Sequence, residues 1–396
     1  MRVVAFYLPQ FHTIPENDEW WGQGFTEWVN VRKASPAYLE HDHPRTPTTL
    51  GEYDLTNSHS LRAQSQLAQK HGIDAFCMYF YWFDGRRLLE RPVDAWREDA
   101  TLLPYCLSWA NEAWTRRWDG RNRDVLMPQT YPRDYTRQLF HELLPHFQAG
   151  HYVKVLENPV LVVHRADLIP DPLAFSRDMR LLAHEAGLPG IYLIASETLA
   201  DTHPGAYAFD AVAEFPPVSA NRLGNAQMRR PIGLDSQFRG RLLSYQRIVR
   251  HYLNRPVPDF IRHPGVMPGW DNTARRGLNA TIYVGHSPTL YEAWLREALR
   301  REEVKRGSQG FVFVNAWNEW AEGAYLEPDE THGDAFLQAT HRAKTGIQPD
   351  AHTTAQPMTA GFSWSHTQSL GKLASGSVLA RIRSFRNRRR GSIGSN

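Results

Sequence analysis

The sequence predicts an α/β protein that folds as a (β/α)8 barrel of the TIM type. Short apolar runs alternate with helix-like stretches, and this alternation is typical of a parallel sheet. Eight such runs occur, which is the number of strands in a closed barrel. They are Val3–Leu8, Ile73–Tyr81, Tyr105–Trp109, Pro159–His164, Gly190–Ala195, Ala208–Phe215, Gly265–Pro268 and Gly310–Ala316. The seventh is the least regular, and an open doubly wound sheet is the alternative fold.

Helix-like stretches follow several of these runs. The clearest are Ser58–His71, Arg133–Gln148, Pro172–Ala186 and Pro288–Lys305, and the first three are followed within two residues by glycine. Glycine is the commonest residue just after the last turn of a helix. The segment from Gln10 to Asn57 shows no convincing element. A loop of that length in a compact domain is usually functional or carries small elements of its own.

Charge is distributed unevenly between the body of the chain and its end. The 396 residues have a formal net charge of +3, yet the stretch from Ala351 to Asn396 holds seven basic residues and no acid. The remainder therefore has a charge of −4, which gives no signature of nucleic-acid binding. We predict a barrel domain over residues 1–345 and a disordered basic tail over 346–396. Weak contact of the tail with an anionic membrane surface is the alternative to a solvated tail.

Cysteine content and the first residues bear on the cellular compartment. Cys77 and Cys106 both lie inside apolar runs, so we expect reduced core residues rather than a metal site or a disulfide. The first apolar run is too short for a signal peptide, and no window reaches the ~18 apolar residues of a membrane span. The sequence therefore predicts a cytoplasmic protein without a cofactor, and it does not indicate an oligomeric state.

Polar and aromatic side chains recur where the predicted strands end. Any one of them could be a hydrogen-bonded core group. Their recurrence at one end of seven strands indicates a site, because active sites of such barrels lie at the carboxyl ends of the strands. We expect the substrate-binding residues to include Trp82, Trp109, Asn111, Glu112, Trp114, Trp270, Asp271, Asn272, Asn315, Trp317 and Asn318.

Tryptophan is abundant in the same places. Nine of the thirteen tryptophans lie at predicted strand ends or in the first long loop, namely Trp20, Trp21, Trp28, Trp82, Trp109, Trp114, Trp270, Trp317 and Trp320. They could simply fill a large core. Because their sequence neighbours are polar rather than aliphatic, we interpret them as surfaces for the apolar faces of sugar rings.

Glu319 and Glu322 follow the last predicted strand and are three residues apart. If the chain turns helical after Trp317, the two carboxyl groups share one face with Cβ atoms about 5–6 Å apart. Mutual repulsion and burial among tryptophans would raise one pKa and create a general acid beside a base. Glycosidases use such a pair, and a short separation suits a retaining mechanism. The alternative is a pair of acids that stabilises a helix N-terminus.

Four motifs in order along the chain carry a family resemblance. They are Glu16–Trp28, Ser108–Glu112 with Trp114–Gly120, Pro268–Asn272 and Asn315–Gly323. These motifs resemble those of the WbsX-like proteins, which are bacterial proteins of surface-polysaccharide gene clusters named as glycosyltransferases. That family is similar in turn to glycoside hydrolase family 99, the endo-α-mannosidases. The resemblance extends from the first strand to about residue 345.

The resemblance implies a (β/α)8 barrel without a metal and a catalytic role for Glu319 and Glu322. It implies that Glu319 acts as a base on the substrate's own 2-hydroxyl to give an anhydro-sugar intermediate. Glu322 would then be general acid and afterwards general base. Ala113 departs from the family pattern, where asparagine usually follows this tryptophan motif, which puts one sugar contact in doubt.

Other motifs do not predict a ligand. Gly22-Gln-Gly24 lacks a preceding strand and a third glycine, so a dinucleotide loop is not expected. His41 and His43 could bind a metal, but without a third convergent ligand a solvated loop is the better interpretation. The chain has neither a phosphate-binding P-loop nor the Asp-x-Asp motif with which many nucleotide-sugar transferases hold a metal.

Three functions remain open on this evidence. The first is an enzyme that cleaves or rearranges an internal glycosidic bond of a bacterial surface polysaccharide, such as O-antigen or capsule, with retention. The second is a glycosyltransferase of lipopolysaccharide or O-antigen biosynthesis, with Arg116 and Arg117 as candidates for a diphosphate. The third is a non-catalytic sugar-binding module that does not need both glutamates.

Overall fold

The computed structural model describes residues 1–116, 121–199, 202–217, 228 and 230–346. The strands are β1 Arg2–Tyr7, β2 Ala75–Phe83, β3 Arg86–Leu88, β4 Tyr105–Trp109, β5 Trp114–Arg116, β6 Arg121–Met127, β7 Lys154–Val155, β8 Asn158–Val163, β9 Tyr192–Glu197, β10 Ala211–Glu214, β11 Arg241–Ser244, β12 Arg262–His263, β13 Gly265–Val266, β14 Thr281–Val284, β15 Phe311–Val314, β16 Asn318–Glu319 and β17 Ala324–Tyr325.

The α-helices are α1 Pro15–Trp21, α2 Glu27–Lys33, α3 Ser58–Lys70, α4 Glu90–Glu98, α5 Tyr135–Phe147, α6 Pro172–Glu185, α7 Tyr245–Leu253, α8 Thr273–Arg276, α9 Pro288–Arg306 and α10 Ala335–Thr345. All four predicted helices are present within two residues of their predicted bounds. Among the described residues no helix is both long and apolar enough to cross a lipid bilayer.

Parallel strands form a closed ring in the order β1, β2, β4, β8, β9, β10, β12 with β13, and β15. β12 pairs with β10 and β13 pairs with β15, and only Pro264 separates these two short segments. Proline lacks the N–H that a ladder requires, so it divides one barrel strand into two. The ring closes where β1 pairs with β15, for example Val3 with Val312. The predicted (β/α)8 barrel is confirmed, and each of the eight predicted runs contributes one barrel position.

The barrel interior is filled with aromatic side chains. Phe6 of β1 is fully buried, and its ring centroid lies 5.0 Å from that of Phe215, 5.6 Å from Phe313 and 5.9 Å from Tyr79. Phe313 belongs to β15, which pairs with β1 on the side opposite to β2. These rings therefore form a solid floor across the barrel, above which a cavity opens.

The long first loop is more structured than the sequence indicated. It contains α1 and α2, each of seven residues. Trp28 and Val31 of α2 are buried, and Trp28 packs on Phe11 and Tyr53 at centroid distances of 4.6 and 5.1 Å. Helices this short show little periodicity, which explains why the sequence pattern missed them. The loop is thus a packed wall beside the barrel, as a decorated functional loop would be.

Two predictions concern parts of the chain that lie outside the described residues. The basic tail falls there from residue 347 onward, so its disorder and its membrane contact stay predictions. Residues 117–120, which include one arginine of the candidate diphosphate pair, fall there as well. Cys77 and Cys106 are buried and unpaired, as the apolar context predicted.

Candidate active site

A cavity of about 320 Å³ opens at the carboxyl ends of the barrel strands. Its lining residues end or follow different strands, among them Gln10, Tyr81, Glu112, His164, Phe215 and Glu319. Trp270, which follows β13, also lines it. The predicted location of the site is therefore the location of a real cavity.

Glu319 and Glu322 lie at the cavity on a tight hairpin rather than on an α-helix. Glu319 ends β16, and residues 320–322 form a single 3₁₀ turn before β17 pairs back on β16. A 3₁₀ turn has three residues, so side chains three apart lie one above the other. Gly323 adopts φ of +60°, which allows the reversal that follows. The expected proximity of the two carboxyl groups thus arises from a different local structure.

Arg275 of α8 bridges the two glutamates. Its Nη1 lies 2.5 Å from Oε1 of Glu322, and its Nη2 lies 3.2 Å from Oε2 of Glu319. Its Nε donates to Oε2 of Glu27 at 3.3 Å. The side chain of Glu27 is fully buried and that of Arg275 is 10% exposed. One guanidinium group therefore serves three carboxylates drawn from α2, β16 and the 3₁₀ turn.

Burial and crowding alter the protonation of this cluster. Burial raises the pKa of Glu319 to about 8, and the negative charge of Glu322 adds to the rise while Arg275 opposes it. Burial also raises the pKa of Glu322. Glu322 is the more exposed of the pair and the closer to Arg275. At neutral pH the raised pKa of Glu319 therefore favours a proton on its carboxyl group, while Arg275 opposes the rise at both glutamates.

Sequence reasoning missed Glu27 and Arg275 as site residues. Glu27 was part of the quoted first motif, but nothing in its spacing connected it to a strand end. Arg275 follows the predicted Asp271 by four residues, which is one helical turn. Only the three-dimensional fold brings these residues within 3.3 Å of each other, across 248 positions of sequence.

Aromatic side chains line part of the cavity. Trp21, Trp114 and Trp270 are among the lining residues, together with Tyr79 and Tyr81. The ring of Trp114 meets that of Tyr81 edge-on at 5.1 Å. Rings held in this way offer firm apolar surfaces of the kind that the sequence predicted for sugar rings.

Five other tryptophans assigned to the site by sequence are buried core residues instead. Trp109, for example, stacks on Phe175 at 5.8 Å, and Trp317 packs on Phe76 at 5.2 Å. The five are at most 4% exposed and do not line the cavity: Trp28, Trp82, Trp109, Trp317 and Trp320. Their polar sequence neighbours misled the interpretation, because a residue that follows a strand can still point into the core.

Asn111 and Asn318 hold backbone rather than line the cavity. The side chain of Asn111 accepts from the N–H of Arg165 and donates to its carbonyl oxygen, both at 2.8 Å. Asn318 does the same with Leu8, at 2.8 and 3.0 Å. Asn111 thus fixes the loop after β8, and Asn318 ties the glutamate hairpin to the end of β1.

Asn315 and Asn272 also have structural partners. Asn315 donates to the carbonyl oxygen of Pro216 at 2.8 Å, and the side chain of Asn272 accepts from the N–H of Thr281 at 2.8 Å. Neither lines the cavity. The structure therefore brings together Glu112, Trp114, Trp270, Glu319 and Glu322 of the predicted set.

Glu112 lies in the same cavity with its own ion pair. It contacts the guanidinium group of Arg165, which also binds Asp167 at 2.7 Å. His164 Nε2 lies 3.7 Å from Glu112, and burial lowers the pKa of this histidine. Glu112 therefore adds a further carboxylate to the cavity. Its negative charge is partly balanced by Arg165, which does not line the cavity.

His41 and His43 are buried, so the interpretation of a solvated loop was wrong. Their Nε2 atoms lie 2.6 and 2.7 Å from Oδ2 of Asp271, and Arg45 Nη2 lies 3.4 Å from the same oxygen. The N–H and hydroxyl of Thr273 donate to the other oxygen. Burial alone would raise the pKa of Asp271, but the two histidines outweigh it and hold the pKa well below its usual value.

Two histidines and a carboxylate can form a metal site, but the hydrogen-bond donors around these three residues do not favour one. The N–H of Ala37 donates to Nδ1 of His41 at 3.0 Å, which leaves the ring hydrogen on Nε2. A neutral imidazole has one donor and one acceptor nitrogen, so this Nε2 donates to Asp271 and has no lone pair for a metal. Arg45 also brings a cation to the carboxylate oxygen that both histidines contact, with its Nη2 3.4 Å from Oδ2 of Asp271. These contacts fit a hydrogen-bonded carboxylate.

The Asp271 cluster supports the backbone of the Glu319–Glu322 hairpin. The N–H of Asp271 donates to the carbonyl oxygen of Glu322 at 2.6 Å, and Arg45 Nη1 donates to that of Gly323 at 3.3 Å. Asp271 thus acts through position rather than through contact with the cavity.

Comparison with known proteins extends these observations. A family profile described as Glycosyltransferase WbsX matches residues 3–340. The chain is 42% identical over 353 residues to "Uncharacterized protein WxcX" of Xanthomonas campestris pv. campestris, over 89% of this chain and 50% of that protein. It therefore spans about half the length of the curated relatives that it matches.

Among solved structures, two of the GH99 endo-alpha-mannosidase from Bacteroides thetaiotaomicron are similar, one in complex with BIS-TRIS-propane. Their TM-scores are 0.52 and 0.54 at 13% and 12% identity. The match covers 87% of this chain and 96% and 97% of theirs. Likeness at this identity shows the barrel fold alone. Because the family profile spans nearly the whole described chain, the protein belongs to the WbsX glycosyltransferase family.

Proposed function

We propose that this protein cleaves or rearranges an internal glycosidic bond of a bacterial surface polysaccharide with retention, by means of Glu319 and Glu322. The supporting observation is the pair itself, two glutamates bridged by Arg275 at one cavity. A single guanidinium group keeps the carboxyl groups close, which favours the short separation of retaining enzymes. The raised pKa of Glu319 supplies a proton at neutral pH.

The roles within the pair follow from one mobile proton. This proton favours Glu319, because burial raises its pKa to about 8. The family resemblance assigns the base to Glu319 and the acid to Glu322. The preference of the proton for Glu319 and the roles implied by the resemblance agree if the proton passes from Glu319 to Glu322 as the sugar enters. Glu322 then protonates the leaving oxygen, while Glu319 takes a proton from the adjacent hydroxyl of the sugar.

The second candidate is a glycosyltransferase of surface-polysaccharide assembly, and the description of the family favours it. Cavity charge counts against a nucleotide-sugar donor. The described lining residues include Glu112, Glu319 and Glu322, whereas Arg275 is the cation among them. A diphosphate would meet negative charge there rather than a cradle of donors.

Product analysis tests the proposal. The protein is incubated with a panel of bacterial surface polysaccharides in ¹⁸O-water, and the products are analysed by mass spectrometry. We expect shortened chains that carry ¹⁸O after hydrolysis, or chains with altered linkage and no label after rearrangement. Glu322→Gln should abolish both. Glu330→Gln is the matched control, because Glu330 is exposed, lies eight residues further on and does not line the cavity.

Full activity of Glu322→Gln would refute the assigned chemistry. Saturable binding of a nucleotide sugar, with glycan growth instead of cleavage, would favour the transferase. Unchanged glycan affinity after the double change of Glu319 and Glu322 to glutamine, with no turnover by the parent, would indicate a binding module.

A further inference from the structure

Two buried amide side chains at the cavity have hydrogen-bonding atoms without partners. Asn17 of α1 is fully buried, and within the described chain neither its amide nitrogen nor its amide oxygen makes a hydrogen bond. Gln10 is 3% exposed, and its Nε2 likewise lacks a partner. Both residues line the cavity. Unpaired buried amides are rare because they cost free energy, so two at one cavity indicate a polar ligand.

These atoms have the hydrogen-bonding character of a sugar-binding wall. An amide offers two N–H donors and one carbonyl acceptor, whereas a hydroxyl can both accept and donate. Asn17 can therefore satisfy two adjacent hydroxyl groups. The indole N–H of Trp270, another lining residue, also lacks a partner among the described residues. An apolar ligand would leave all of these groups unpaired.

The charges around the cavity restrict the sugar further. Arg275 already contacts Glu27, Glu319 and Glu322. Arg165, the cation next to Glu112, is bound to that residue and to Asp167. A carboxylate or phosphate on the ligand would thus meet carboxylates and guanidinium groups that are already paired. Repulsion between like charges is strong where water is largely excluded.

We propose that Asn17 and Gln10 form a subsite for the hydroxyl groups of a neutral sugar residue, and that the cavity discriminates against uronate and phosphorylated sugars. The subsite deepens the proposed function, on which the placement of a sugar in this cavity rests. It assigns a role to the first loop, since α1 supplies Asn17 and the segment after β1 supplies Gln10.

Binding of matched glycosides to the full-length protein tests the charge preference. The probes are the methyl α-glycosides of glucose, mannose and galactose, and the glucuronide and galacturonide that differ from two of them only by the C6 carboxylate. Ligand-observed NMR measures the affinities. We expect at least one neutral glycoside to bind, and about tenfold weaker binding of the matched uronide, which corresponds to about 1.4 kcal/mol. Equal or tighter binding of the uronides, or no binding of any neutral glycoside, would overturn the proposal.

Asn17→Leu tests the subsite itself. Leucine has a similar size and leaves no unpaired group, so the melting temperature should stay the same or rise. Affinity for the neutral glycoside should fall about tenfold or more. Asn30→Leu is the matched control, because Asn30 also has an unpartnered buried amide nitrogen but does not line the cavity. Gln10→Met is a second, independent variant with the same expected loss.

Parent-like affinity of both Asn17→Leu and Gln10→Met for the neutral glycoside would refute the subsite proposal. Turnover separates this failure from failure of the proposed function. If cleavage occurs and is the same in both variants, the proposed function holds and the subsite proposal is refuted. If binding depends on Asn17 but no polysaccharide is cleaved, the subsite proposal holds and the proposed enzymatic function is refuted.

Discussion

Replacing Arg275 with methionine should make the stability of the protein far more sensitive to pH. The guanidinium group contacts three carboxylates at 2.5–3.3 Å, and methionine removes the charge while it keeps part of the volume. Loss of one partner of a buried ion pair typically costs about 3–5 kcal/mol. For Glu319 and Glu322 that cost applies only while they are ionised, so the loss should approach this range near pH 8 and be smaller near pH 5.

The sign follows from the raised pKa values of Glu319 and Glu322. A carboxyl group whose pKa is higher in the folded state stabilises the fold fully below its unfolded pKa. This contribution is lost as pH rises through the folded value. For Glu319 the window runs from about 4.5 to about 8. Each proton held only by the folded state changes stability by about 1.4 kcal/mol per pH unit. Without Arg275 both pKa values rise further, so the window should extend upward.

Urea denaturation at about four pH values between 5 and 8 measures this effect. Arg276→Met is the control, because Arg276 is the exposed neighbour of Arg275 on α8. Arg275→Lys keeps a charge and should fall between parent and methionine variant. A destabilisation of Arg275→Met that does not change with pH, or that equals the effect of Arg276→Met, would refute the reasoning.

Three further changes probe the support of the hairpin. Asp271→Asn should cost about 2–4 kcal/mol in thermal or urea denaturation, because an amide cannot accept from all the donors around the carboxylate; an unchanged stability would contradict the network. Trp320→Phe removes the indole N–H that donates to Glu327 at 2.6 Å and should cost about 1–3 kcal/mol, while a gain in stability would show that this bond is dispensable. Gly323→Ala should destabilise by about 1–3 kcal/mol and lower turnover, since the new Cβ would lie 2.7 Å from Arg45 Nη1 at positive φ; parent-like kinetics would show that the hairpin tolerates the shift.

The barrel was predictable because its strands are short, apolar and buried on both faces. The run Phe311–Val314, for example, has no polar residue and is almost fully buried. Such strands have one plausible environment, so composition alone identifies them. The division of β12 from β13 at Pro264 also explains why the seventh strand looked weak in the sequence.

The location of the candidate site was predictable from the sequence, but the residues that line it were predicted only in part. Glu319 and Glu322 were identified because two acids followed a buried strand. Trp109 and Asn318 follow or end strands in the same way, yet they face the core and the backbone of Leu8. Direction of a side chain past the end of a strand depends on turn geometry that periodicity does not encode.

Long-range partners were the least predictable part. Nothing in the pattern around His41 indicated that Asp271, 230 residues away, would bind it. Asn17 was equally hidden, since the sequence does not show that a short polar helix folds over the mouth of the barrel. Such contacts depend on packing between distant segments rather than on local propensity.

Pairing of β1 with β15 closes the barrel, and it therefore determines when during synthesis the candidate site can assemble. Glu27 emerges early in synthesis and Glu322 nearly three hundred residues later, and Arg275 cannot bridge Glu319 and Glu322 until the segment after β15 has folded onto the barrel. A nascent chain halted before residue 311 would present two open strand edges and would lack both glutamates of the pair. Completion of the barrel and assembly of the Arg275-bridged glutamates are thus one event, so under the proposed function an unfinished chain should be inert toward glycans.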